Sequence, residues 1–157
     1  MRRLSVRAPW PAGPCPASTK VYPMKMTRSS AYALTALAWL ARQNSPGPVA
    51  SHTLAEMAHG IPERFLLKLL LPLVSAGILR SVRGPGGGYR LARPASGVTV
   101  LEVIQAVDGP IRGEAPAVGK GAAAAFDRRL QDACEHAAQL TRDRLAKTTI
   151  ADLARAK

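Results

Sequence analysis

Only 4% of this chain is aromatic, so a folded core must rest on Leu, Ala, Val and Ile, and few rings are available to stack on single-stranded bases. Cysteine is scarcer still. Cys15 and Cys134 are too few and too far apart for a disulfide scaffold. No apolar run reaches the ~18 residues of a membrane-spanning helix. The arginines near the N-terminus are not followed by the apolar stretch of a secretory signal, so a cytoplasmic protein with no membrane partner is expected. Acidic groups are also sparse: 10 Asp and Glu stand against 22 Lys and Arg, a formal charge of +12. A pI near 10.9 in a chain without membrane segments points to a polyanionic partner.

The three histidines do not assemble with the cysteines into a metal set. His136 lies two residues from Cys134, which turns the two side chains to different sides of a helix, and His52 and His59 flank a short helix as surface residues. No metal and no cofactor are expected. Catalytic groupings are missing as well. A phosphate-binding loop needs Gly-Lys-Ser/Thr opening a helix, whereas the glycine run 84–88 is followed by Tyr89 and a second strand, so the chain reads as a non-enzyme.

Residues 1–23 are rich in Pro, Ala and Arg without periodicity and read as a disordered basic tail. Met24 and Met26 precede the patterned region and are candidate translation starts; a basic arm adding phosphate contacts is the alternative. Over 27–42, Ala33, Leu34, Leu37, Leu40 and Ala41 recur at three- and four-residue spacing, a helix ended by Asn44-Ser45-Pro46-Gly47. Ser51 suits the N-cap of a second helix with Leu54, Ala55 and Ala58, stopping at His59-Gly60. Pro62 opens a third, whose stripe is Phe65, Leu66, Leu69, Leu70 and Leu73; Pro72 should bend its last turn or cut it short, and Gly77 ends it.

Extended pieces at 78–82 and 89–91 flank Arg83-Gly84-Pro85-Gly86-Gly87-Gly88, a hairpin with a glycine-rich tip. Thr99 caps a fourth helix ending at Asp108-Gly109, and 110–122 reads as a loop. A long helix from about 123 to 147 follows, then a last short helix capped by Thr149. In the long helix Phe126, Leu130, Ala133, Ala137 and Leu140 form a narrow 4-3-4-3 seam suited to a partner helix. The fold class is therefore mainly α with a small β-hairpin wing. Residues 24–109 form a winged helix-turn-helix unit, and 123–157 a dimerisation helix with a short C-terminal helix.

That order suits duplex DNA, because a helix held by two others fits a major groove about 12 Å wide. Arg80, Arg83, Arg90 and Arg93 cluster around the hairpin, and Arg83 at its tip could reach the minor groove, where negative potential concentrates. The stretch 24–109 also resembles the Rrf-two family of bacterial transcription regulators, which includes an iron–sulfur cluster regulator and nitric-oxide-sensing repressors. The resemblance rests on MKMTRSSAYALTAL, GIPERFLLKLLLPLVSAGIL, SVRGPGGGYRLARP with VTVLEVIQAVDGP, and the late TTIADL. It implies that the N-terminal half of the third helix reads bases through Pro62, Arg64, Leu67 and Lys68, and that Arg83 enters the minor groove. Thr27, Arg28, Gly84, Gly86, Gly87 and Tyr89 complete the expected DNA-binding set. Leu67 stands where some members carry a base-reading acidic residue, so their target sequences do not transfer.

The resemblance further implies that the long helix forms a homodimer, in agreement with the seam, which Cys134 borders. Cys134 reads as a small interface residue, with a redox thiol as the alternative. Cluster-binding members carry three closely spaced cysteines in the loop and at the start of the long helix. Here there is none between Gly109 and Ala133, so no cluster is expected. The expected function is a homodimeric, sequence-specific repressor on an inverted repeat, with a small-molecule effector left open. Regulation through protein contacts, or RNA binding, is the alternative.

Overall fold

The first helix is the hub against which the rest is assembled. In the computed structural model, which describes residues 26–43, 47–58, 60–116 and 123–155, α1 spans Arg28–Arg42. It buries Ser30, Ala33, Leu34, Ala36, Leu37 and Leu40, and Thr27 caps it by accepting the Ser30 amide at 3.1 Å. Then follow α2 (Ser51–Met57), α3 (Glu63–Ser75), β1 (Leu79–Val82), β2 (Gly88–Leu91), α4 (Val100–Asp108), α5 (Ala123–Ala146) and α6 (Ile150–Arg155). Helix α1 packs on α4 and α6, and α2 and α4 pack on α3. The expected tail 1–23, the candidate start Met24, most of the break after α1, and His59 lie outside the described residues.

Several local expectations are corrected. Ala50, not Ser51, is the N-cap of α2; Ser51 is already helical, and its hydroxyl donates to Glu63 Oε1 at 2.5 Å, tying α2 to the start of α3. Phe65 is not core but 36% exposed, with its ring edge-on to Tyr32 at 6.1 Å between centroids. Of the two outcomes expected at Pro72, a bent last turn or a shortened helix, the shortening does not occur. The helix runs to Ser75 because its end is held elsewhere: Gly77, at φ +68°, donates to Val74 O, and Ile78 donates to Leu73 O while both of those side chains bury.

Leu66, Leu69, Leu70 and Leu73 of α3 are all buried, together with Leu37, Leu54 and Ile78. Truncating any one to Ala would cost about 2–5 kcal/mol, enough to hold α3 in a single orientation. The opposite face of α3 is thereby fixed outward.

The chain end returns to the hub. Thr99 and Thr149, the residues before α4 and α6, pair as an isolated antiparallel bridge, with Val100 N donating to Thr148 O and Ile150 N to Val98 O, both at 2.9 Å. Each threonine also exchanges hydrogen bonds with an acid three residues on, Glu102 and Asp152 respectively. Ile150 is fully buried, and Arg42 Nε donates to Ala154 O at 2.7 Å, so α6 locks onto α1.

Candidate nucleic-acid interface

On α3, Arg64, Lys68 and Leu71 follow one another at four- and three-residue intervals along the outward face, with Leu67 half-buried at its edge. Pro62 is the N-cap residue, and Arg64 and Lys68 are exposed. Leu71, outside the expected DNA-binding set, is 63% exposed in the same row.

The hairpin packs directly against α3. Leu79 pairs with Leu91, Arg80 with Arg90, Ser81 with Tyr89 and Val82 with Gly88. Leu79 is buried and Tyr89 half-buried against the core, while Arg80 and Arg90 both point to solvent. Two arginines directly opposite each other repel. Among the described residues neither has a carboxylate partner, and Arg83 at the tip has none either.

Arg93 departs from the expected basic cluster. It bonds Glu102 at 2.6 Å and the Gly97 carbonyl, so it braces the segment leading into α4. Burial alone would raise the Glu102 carboxyl, but bonds from Thr99 and Arg93 outweigh it and leave the group below its ordinary range.

The glycines at the tip serve the fold first. A Cβ on Gly87 would overlap the Val82 carbonyl, and one on Gly88 would overlap Val49, whose backbone exchanges two hydrogen bonds with Tyr89 at 2.8 and 2.9 Å. Gly84 and Gly86 face open space. Of the expected wing contacts, Arg83, Gly84 and Gly86 are therefore accessible, whereas Tyr89 is engaged with α1's side of the domain through Val49 and the core.

At the start of α1, Arg28 is exposed, but the Thr27 hydroxyl is taken: it donates to both Asp108 oxygens at 2.6 and 2.8 Å. The buried Ser30 hydroxyl donates to the same carboxylate at 2.5 Å. Asp108 gives no signal of this role in the sequence, since its partners lie about eighty positions away.

The loop expected at 110–122 has neither helix nor strand over 110–116, and 117–122 lies outside the described residues. Its first part is clamped to α5. Gln131 donates to Gly113 O at 2.6 Å and accepts the Ala115 amide at 3.0 Å, and Glu135 accepts the Gly113 amide at 3.1 Å. Arg142 bonds both the Ile111 carbonyl and Glu135. Gly113 lies so close to the Cys134–Glu135 backbone that a Cβ would overlap it. Arg142, and next the Gly113 amide, hold the Glu135 carboxyl below its ordinary range. On α5, Phe126, Ala133, Ala137 and Leu140 are exposed and Leu130 and Cys134 half-buried, while Ala138 is buried toward its own domain.

Three helices and a two-stranded hairpin in this order define a winged helix-turn-helix protein. The chain belongs to the Rrf2 family, described as iron-dependent transcriptional regulators, whose family model matches residues 26–156. It is 34% identical over 138 residues to the HTH-type transcriptional regulator Rv1287 of Mycobacterium tuberculosis, covering 83% of this chain and 81% of that protein. The HTH-type regulator IscR of Escherichia coli is 42% identical over 85 residues, 54% of this chain and 52% of IscR. Among solved structures, CymR, the global cysteine regulator of B. subtilis, superposes with a TM-score of 0.66 at 27% identity, covering 83% of this chain and 96% of CymR. Staphylococcus aureus CymR in its oxidized form gives 0.62 at 30% identity over 85% and 98%. The chain is thus a DNA-binding transcription regulator by family, and its relatives are regulators rather than enzymes.

The family description implies iron, and the residues here do not fit it. Positions 110–122 contain no Cys or His, the loop's polar contacts to α5 come from an amide, a carboxylate and a guanidinium, and Glu135 is already occupied by Arg142 and Gly113. Among the described residues no three His, Cys, Asp or Glu side chains converge.

Proposed function

We propose that this chain is a homodimeric repressor that occupies an inverted-repeat operator, with α3 in the major groove through Pro62, Arg64, Leu67 and Lys68 and with Arg83 of the wing in the minor groove. The carrying observation is the Arg80–Arg90 pair: two like charges held opposite each other, exposed and without carboxylate partners, are a standing repulsion that a phosphate backbone relieves. Arg28, which is exposed, the Thr27 backbone and the hairpin backbone at Gly84, Gly86 and Gly87 would add contacts to the phosphates. The exposed seam of α5 supports the dimer, which would present two reading heads to two half-sites. Repression follows from such a dimer covering a promoter. The loop clamp supports a regulator that works without a cluster, its loop seated by the protein's own side chains.

A second reading draws on Leu71. An exposed leucine on α3 also suits a regulator acting through protein contacts without specific DNA recognition.

Selection of genomic fragments by the purified chain, followed by affinity measurements from low to moderate salt, tests the proposal. An enriched inverted repeat is expected. Replacing Arg80 and Arg90 together with Ala removes four arginines from the dimer and should flatten the slope of log affinity against log salt by about 4, with the helical content unchanged. An unchanged slope would remove the wing strands from the interface.

A further inference from the structure

We infer that α3 reads thymine methyl groups through Leu71 and Leu67, so that each operator half-site carries a thymine contacted by Leu71, about three base pairs from the position faced by Arg64. This rests on the reading of α3 as the major-groove helix and specifies what it recognises there.

The burial pattern of α3 separates two kinds of leucine. Leu66, Leu69, Leu70 and Leu73 complete the core, and none is more than 5% exposed. Leu71 contributes nothing to that core, and Leu67 borders the same outward row. An exposed leucine one turn beyond Lys68 gains nothing from water and has no donor or acceptor to offer a phosphate. The major groove holds one apolar group that rewards it, the C5 methyl of thymine.

The rest of the row offers few other base codes. It carries no Asn or Gln for the paired bonds that identify adenine. Glu63, the acid at the start of α3, is held toward α2 by the Ser51 hydroxyl on one of its two oxygens. What remains is Arg64 and Lys68, which suit guanine edges or phosphates, and the two leucines. Seven residues of helix separate Arg64 from Leu71, roughly 10 Å of rise. At roughly 3.4 Å per base pair, a helix lying along the groove spaces their contacts about three steps apart.

The test uses the full chain and a duplex taken from the selected fragments, with each thymine of a half-site replaced in turn by uracil, which removes only the methyl. One thymine per half-site should weaken binding about fourfold when replaced, and about fifteenfold when its symmetry mate is replaced too. Leu71→Ala should weaken the unmodified duplex by a similar factor, keep its melting temperature, and become indifferent to that uracil. If uracil is neutral at every thymine, or Leu71→Ala binds as wild type, the inference is wrong and Leu71 serves another surface, such as a protein partner. Retention of no duplex at all overturns both the DNA reading and this inference.

Discussion

Asp108 is a carboxylate at the C-terminal end of one helix, where the dipole disfavours it, and at the N-terminal end of another, where it is welcome. Its two oxygens accept from Thr27 and Ser30, so the start of α1 and the end of α4 are held by one group. Ser30 is fully buried, and without Asp108 its hydroxyl would lose that acceptor. Asp108→Ala should therefore lower stability by about 1–3 kcal/mol, read as a fall in the denaturation midpoint. A midpoint unchanged from wild type would show that the three-residue link is dispensable. The sequence made Thr27, Arg83 and Arg64 legible as positions, because caps, turns and charges are local signals. It could not reveal that the Thr27 hydroxyl is committed to Asp108, or that Arg93 braces Glu102, because such partners meet only after the chain has folded.

At the scale of elements, legibility follows periodicity. Helices α1, α3, α4 and α5 and the hairpin were readable from apolar spacing and glycine placement, whereas Ser51 misled because a good capping residue here bonds a neighbouring helix instead. The patternless loop hid its own order. Backbone over 111–115 is fixed by α5 side chains, a tertiary device that leaves no local periodicity. Gly113→Ala should detach this segment, since the added methyl meets helix backbone rather than a movable side chain. The Gly113 and Ala115 amides should then lose hydrogen-exchange protection while those of α1 and α3 keep theirs; retained protection at 113 would contradict the clamp. Acid should open it too. The Glu135 carboxyl is held below its ordinary value by Arg142 and the Gly113 amide, so the clamp is complete above the ordinary carboxylate range and is lost as pH falls through the lowered value. In NMR spectra the Gly113 amide should shift across that interval, and in Glu135→Gln the shift should be absent.

For the whole molecule, charge is partitioned between the two proposed tasks. Helix α5 carries Arg128, Arg129, Arg142 and Arg144 against Asp127, Asp132, Glu135 and Asp143, so it is formally neutral. Residues 24–112 hold ten basic and four acidic groups, a formal +6. Two copies can then meet along α5 without the repulsion that the chain's +12 would otherwise impose, while the excess charge stays with the reading heads. Salt should separate the two equilibria. DNA affinity should fall steeply as salt rises, because each neutralised phosphate releases counterions. Self-association should change little, because the seam is apolar, with Phe126 62% and Leu140 57% exposed in the single chain. Replacing both Phe126 and Leu140 with Glu should give a folded monomer in sedimentation experiments and weaken operator binding by at least about a hundredfold, since each half-site must then be bound by an independent molecule. A double variant that sediments as wild type would place any dimer interface away from this seam. A monomer that keeps full operator affinity would mean that one reading head suffices, and the inverted repeat would lose its physical basis.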